Sequence, residues 1–419
     1  MDWAKIRVDE ALVATYLERL YEIGRLDGGG VWRPTYSPAW QEARGVVRGW
    51  LEEAGLTVRE DAVGNLFGRL EGIETGPVIL VGSHIDTVYA GGKFDGALGV
   101  VGAIVATRAL QEVLPRPRLP VEVFVSCEEE DSRFICDFWG SRALLGEIDP
   151  MEADHCRDVE GVVLADAMAA FGLEPRRVGE ARRNDLGCFL ELHIEQGPVL
   201  EQAGISLGIV ESISGLNRTA VQVVGQADHA GTTPIAMRRD AGLAAAEMLL
   251  AVRSIADELG EPARATVGTH TVYPNQPNIV PGRVEFVVDS RHPDRATQIA
   301  LLDAVCRRCQ EVAAKHSVTV TIKTLIDQPP TPMDPRLVAT LEDCAERRQI
   351  SHRRMVSGAG HDAQVIGRRV PAVMLFVPSQ GGRSHSPAEH TSLEQLVPGV
   401  QILADALTEL SGAWSSEIS

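Results

Sequence analysis

The chain has no apolar run long enough to cross a bilayer: its longest uncharged apolar stretch, residues 96–107, holds 12 residues, where a membrane helix needs ~20. That stretch reads as a buried helix instead. Basic residues are too scattered for a nucleic-acid face. Forty Lys and Arg stand against 58 Asp and Glu, a net charge of −18, and no run of them forms the basic stripe that a phosphate backbone demands. Individual arginines still suffice for a small anionic substrate. The opening MDWAKIRVDE is charged and lacks an apolar h-region, so no secretory leader is read and the cytoplasm is the expected compartment. Cysteine is sparse and odd in number, seven in the chain, which argues against a disulfide framework and for a reducing environment. Cys306 and Cys309 form a single CxxC within a helical pattern; without a second CxxC or a His pair they read as structural thiols. There is no low-complexity tract, no internal repeat, no GxSxG elbow, no Walker loop and no GxGxxG after a strand, which lowers serine-hydrolase, nucleotide and dinucleotide readings.

A chain of 419 residues exceeds the ~250–300 at which single cores stop growing, so two domains are expected. Ser37-Pro38 signals a helix start, with Ser as N-cap and Pro at the first helical position, and Gly55 its stop. A short strand (57–60) and a turn (61–64) precede Val78–Val81, a continuous apolar run suited to a strand buried on both faces. A helix over 96–110 and a strand over 121–127 complete a strand–helix–strand order, which implies a parallel sheet with right-handed crossovers. Near Ser212 the pattern changes. Strand (219–225), helix (239–259), strand (265–272), strand (284–290), helix (295–315) and strand (318–324) follow in the βαββαβ order of a ferredoxin-like domain. After Gln328-Pro-Pro-Thr-Pro, a helix over 335–349 and a strand over 370–376 restore α/β character. The expected fold is therefore α/β in two domains: a mainly parallel-sheet domain, residues 1–211 and 329–419, interrupted by a smaller α+β domain, residues 212–328.

Five segments place His or carboxylates where a parallel sheet presents ligands, at the carboxyl ends of its strands. His84 and Asp86 follow the Val78–Val81 run, and a metal-bound imidazole needs an acceptor such as Asp86 on its other nitrogen. Asp95 lies in GGKFDGALG, where glycines allow a sharp bend around one carboxylate; taken alone it reads as a helix N-cap before the apolar helical run, and the two roles are compatible. Glu128-Glu129-Glu130-Asp131 resembles a solvated acidic face, yet it directly follows a strand, where four crowded acids are costly without a cation. Adjacent carboxylates suit divided labour, one binding metal and the next moving protons. In FLELHIEQG, Glu191, His193 and Glu195 share one side of an alternating strand whose plainer reading is a half-buried edge. His385, in Ser384-His385-Ser386-Pro387, is a loop imidazole. As a set, His84, Asp95, Glu130, His193 and His385 give the N/O ligation of zinc or manganese, and a bridging Asp gives each of two ions three protein ligands.

Taken in order, GSHIDTVYAGGKFDG, EEEDSRFICDFWGSR, ELHIEQG, GQADHAGTTP, NIVPG, DSRH, SGAGHDAQ and SHSPAEHT span residues 82–391. The chain resembles the hydantoinase/carbamoylase branch of the dimetal, M20 peptidase-like amidohydrolases. The resemblance implies metal ligation by His84, Asp95 (bridging), Glu130, His193 and His385, with Glu129 as general base. It implies a homodimer, formed through the inserted lid/dimerisation domain, in which His229 reaches the partner subunit's site to stabilise an oxyanion. Gln196, Arg218, Asn278 and Arg291 match the positions that hold substrate, His361 is expected to line the pocket, and two Mn²⁺ or Zn²⁺ ions are expected per subunit. The implied reaction is hydrolysis of a ureido (carbamoyl) C–N bond in a small carboxylate. Arg218 and FWGSR favour allantoate, with N-carbamoyl-L-amino acids as the alternative and a di-zinc aminopeptidase or deacylase as the more distant one; for Arg218 a plain surface arginine is the other reading. One departure stands out: Asp131 occupies a position the family usually gives to Gly, and it either raises the pKa of Glu129 or points to solvent.

Overall fold

A computed structural model describes residues 3–413 of the chain, which divides into two compact units. The first comprises the residues up to 211, 333–355 and those from 360 onward; the second comprises 212–332 and 356–359. The insertion thus runs four residues beyond the expected 328, because Thr331 and Pro332 pair with Ile213 and Ser212. It also takes back a short segment near Ser357, whose carbonyl accepts from the Ser214 amide, a return that no sequence signal announces.

In the first unit the strands run Thr57–Glu60, Leu66–Leu70, Val121–Ser126, Val78–His84, Leu186–Ile194, Ala372–Val377 and Leu207–Ile213 across the sheet. The four beginning at Val121, Val78, Leu186 and Ala372 are mutually parallel and the flanking ones antiparallel. Parallel strands are sealed on both faces, and every residue of Val78–His84 and Val121–Ser126 is buried. The helix Ala97–Val113 packs on this sheet beside Leu393–Ala413 and is buried almost throughout, so the uncharged stretch is core. Ser37 caps Pro38–Glu53 by accepting from the Trp40 amide. No helix among the described residues is long and apolar enough to cross a membrane.

The second unit is a four-stranded antiparallel sheet, in the order Thr319–Gln328, Gly215–Val224, Arg283–His292, Arg264–Tyr273. The helices Ala241–Leu259 and Arg295–Lys315 enclose a core with Val223, Met248, Val284, Phe286, Leu301 and Cys309. Asp240 and Asp294 start these helices by accepting from the Leu243 and Thr297 amides. Burial pushes the Cys309 thiol up to about 11, and no cluster of potential metal ligands among the described residues includes a cysteine; the CxxC is packing.

Candidate metal centre and active site

The parallel strands deliver their chemistry at one edge. His84 ends the strand Val78–His84, Glu128–Asp131 follow Val121–Ser126, His193 lies at the end of Leu186–Ile194, and His385 sits in the loop after Ala372–Val377. Asp95 is the centre. Its Oδ1 lies 3.6 Å from His84 Nε2 and 3.2 Å from His193 Nε2. Its Oδ2 lies 3.5 Å from His385 Nε2, which is also 3.5 Å from Glu130 Oε2. His84–Asp95–His193 and Asp95–Glu130–His385 each gather three ligand atoms within 4.8 Å, as does His84–Glu129–Glu130. One carboxylate therefore faces two triads with its two oxygens.

Local structure explains the convergence. Gly96 has φ +63°, and a Cβ there would lie 2.4 Å from the His84 ring; only glycine lets the chain turn Asp95 toward the histidines. Asp95 is not a helix cap. Gly96 holds that position without a side-chain bond, and the Asp95 Oδ2 instead accepts from Ser384 Oγ and Gln196 Nε2, both at 2.7 Å. His193 Nδ1 faces the Ile194 carbonyl at 2.9 Å and His84 Nδ1 the Asp86 carbonyl at 3.1 Å, which puts a proton on each Nδ1 and turns each Nε2 toward Asp95, that of His193 also accepting from the Gly96 amide at 3.1 Å. The Asp86 carboxylate is farther from His84, at 3.7 Å, and accepts instead from the Glu129 and Glu130 amides. Its part is to fix the acidic loop, while its own backbone orients the imidazole. Glu128, Asp131, Gln196 and His385 all adopt positive φ, and such strain persists where surrounding structure fixes it.

The acidic run is not a solvated face: Glu128 is fully buried and Glu129 is 8% exposed. Burial, then Glu130, Asp362, Asp86 and Asp95, pushes Glu129 well above the usual carboxylate range. Burial, then Asp95, Asp86 and Glu389, does the same to Glu130. Asp95 goes the other way; burial opposes its charge, but His193, His385 and His84 outweigh it. His193, disfavoured as a cation by burial, is raised to about 9 chiefly by Asp95. A dication placed among these groups offsets the crowded carboxylates, displaces the imidazolium proton and finds the N/O donors that zinc and manganese accept. The residues present fit a pair of divalent metals.

Gln196 lies beside Asp95, as its bond to Oδ2 shows. His361 is buried, edge-on to the His193 ring at 4.6 Å, and burial followed by His193 holds it well below its usual pKa, so it is neutral. The remaining predicted residues belong to the second unit, in two pairs. Arg218 and Arg291 flank Asp289, Arg218 Nε at 3.2 Å and Arg291 Nε at 2.9 Å. Asn278 and His229 adjoin, the Asn278 carbonyl accepting from Ala230 N. The Nδ1 of exposed His229 accepts from the Gly231 and Thr232 amides, leaving the ring proton on Nε2, where it can be donated. Burial, Glu130, Asp362, Asp86 and Asp95 lead what raises Glu129, ahead of Asp131, whose carboxylate accepts from the Cys136 and Asp137 amides. Sequence reasoning missed a buried layer behind the ligands. Glu191 takes Ser83 Oγ and Ala363 N, Asp362 takes Ser126 Oγ and Ser141 Oγ, and Glu389 takes Phe94 N and Asp95 N. Glu191 stood on the expected face of its strand and Glu389 in SPAE, yet burial is what gives them a role.

Residues 80–409 match the model of peptidase family M20/M25/M40. The chain is 41% identical to an allantoate amidohydrolase of Bacillus subtilis (strain 168), over 98% of this chain and 100% of that protein. It is 40% identical to an N-carbamoyl-L-amino-acid amidohydrolase of Paenarthrobacter aurescens, over 92% and 94%. The crystal structure of a hydantoinase/carbamoylase family amidase from Burkholderia multivorans superimposes with a TM-score of 0.91 at 33% identity, covering 97% of this chain and 98% of the other.

Proposed function

The chain belongs to peptidase family M20/M25/M40 and is a metal-dependent amidohydrolase, and from that premise we propose that it hydrolyses the carbamoyl C–N bond of allantoate, releasing ureidoglycine, ammonia and carbon dioxide. The observation that carries this reading is the single Asp95 carboxylate set between two His/carboxylate triads. His84, Asp95 and His193 would hold one divalent ion, manganese or zinc, and Asp95, Glu130 and His385 the other. Such ions supply Lewis acidity and bring the pKa of water toward neutrality. Glu129, next to the ligands but outside both Asp95 triads, accepts the proton of the attacking water and returns it to the departing nitrogen.

Gln196 supplies an amide to the polar ureido group and the neutral His361 lines the pocket beside the metals; on the second unit, Asn278 matches a substrate-holding position. Arg218 and Arg291 present two guanidiniums for a substrate carboxylate, whose two oxygens match the planar fork. The second unit serves as dimer surface; Ile235 and Met237, exposed at 83% and 73%, follow the His229 segment and suit contact with a second copy. In that homodimer His229 of the partner subunit donates its Nε2 proton to the developing oxyanion. The cytoplasm, a reducing compartment, suits the seven unpaired thiols. N-carbamoyl-L-amino-acid hydrolysis is the second reading, since a relative of that name is as similar as 40% identity.

Ammonia release from allantoate and from a set of N-carbamoyl-L-amino acids, with Mn²⁺ or Zn²⁺ added, separates the two; no release from allantoate would reject the first. Mixing Glu129→Gln with His229→Ala protein should restore activity that neither has alone. Unrescued mixtures would reject the shared site.

A further inference from the structure

We propose that Glu389 is a positioning residue of the metal centre: its buried carboxylate clamps the Asp95 loop to the His385 loop and thereby sets the direction of the Asp95 oxygens. The inference rests on the metal-centre reading and assigns a role to a residue outside its ligand set. Glu389 is 6% exposed. Oε1 accepts from the Phe94 amide at 2.7 Å and the Asp95 amide at 3.1 Å. Oε2 lies 3.0 Å from Ser384 Oγ, and that hydroxyl donates to Asp95 Oδ2 at 2.7 Å. Glu389 thus reaches Asp95 twice, through its backbone and through Ser384, and Ser384 is the neighbour of His385. The Asp95 loop is shaped around this carboxylate: a Cβ on Gly92 would lie 2.1 Å from the Glu389 carboxyl carbon.

The bonds separate positioning from charge. A Gln side chain keeps the contacts while removing the negative charge: Oε1 accepts from the two amides, and Nε2 donates to Ser384 Oγ where the carboxylate oxygen accepts from it, leaving the Ser384 proton to Asp95. An Ala removes everything. Loss of an outer-shell partner typically weakens metal binding by ~10–100-fold, so Glu389→Ala should lose affinity by that factor at one or both ions. Gly92→Ala, whose Cβ would push the Glu389 carboxylate aside without altering its chemistry, should weaken binding in the same direction. Glu389→Gln should bind close to wild type.

The test titrates Mn²⁺ into chelator-treated full-length wild type, Glu389→Ala, Glu389→Gln and Gly92→Ala, reading affinity and stoichiometry by calorimetry, with circular dichroism as the folding control. Wild type that binds no manganese, and no zinc titrated in the same way, overturns the metal-centre reading itself. Wild type that binds two ions with Glu389→Ala equal to it overturns only the positioning role, as does Glu389→Gln falling as low as Ala, which would assign the effect to charge. Should Glu389→Ala fail to fold, Ser384→Ala decides: weaker binding there, alongside Gln rescue at 389, supports the clamp, and unchanged binding overturns it.

Discussion

Replacing Glu129 with Gln keeps the side chain's volume and its backbone bond to Asp86 but removes the proton acceptor. Neither Asp95-centred triad includes Glu129, so both metals should stay bound. General base catalysis contributes ~10²–10⁴-fold, and at about 1.4 kcal/mol per factor of ten the variant should lose about 3–6 kcal/mol of transition-state stabilisation, seen as a fall in kcat. Stability should move the opposite way in the metal-free protein. Glu129 is held well above its usual pKa by burial and by Glu130, Asp362, Asp86 and Asp95. The folded state therefore binds this proton more tightly than the unfolded chain, favours folding at low pH and pays an increasing cost as pH rises toward the folded pKa. Gln has no charge to lose, so at neutral pH the metal-free variant should melt above metal-free wild type, and the gap should close on acidification. The assays are ammonia release with Mn²⁺, bound metal by elemental analysis, and melting by circular dichroism across pH. Wild-type turnover would refute the base role. Loss of metal together with activity would make Glu129 a ligand instead.

Asp95→Asn offers one carbonyl oxygen and one amide where two oxygens served both triads, so elemental analysis should find both ions depleted; retention of two refutes the bridge. Arg33 is 1% exposed and donates to the Leu20, Ile23 and Ile85 carbonyls. Because each orphaned buried acceptor costs ~1–3 kcal/mol, Arg33→Met should lower stability by about 3 kcal/mol or more in denaturant titration; a loss under about 1 kcal/mol would show that those carbonyls find other donors. Asp131 has φ +49° and spends its carboxylate on two amides. Asp131→Gly trades those bonds for relief of left-handed strain, so stability should shift by no more than about 1 kcal/mol and kcat/KM should hold. A marked change in the pH dependence of kcat would tie Asp131 to Glu129 after all.

The sequence by itself determined the layered architecture, because hydrophobic period and length distinguish strands buried on both faces (Val78–Val81) from a half-covered sheet (residues 284–290) and from capped helices such as the one begun by Ser37-Pro38. It also named the chemistry-bearing side chains, since residue type and position after a strand are local properties. Only the tertiary structure decided what each of them does. Asp95, which alone reads as a helix cap, lies between two triads because Gly96 turns back over His84. Asp86 holds the acidic loop with its carboxylate and meets the His84 imidazole with its backbone carbonyl, and the Asp131 carboxylate is taken by the Cys136 and Asp137 amides. The buried carboxyls Glu191, Asp362 and Glu389 gained their roles from neighbours 100 residues or more away in the chain. Hydrogen-bond direction and burial depend on which distant segments share a volume, and no local pattern encodes that.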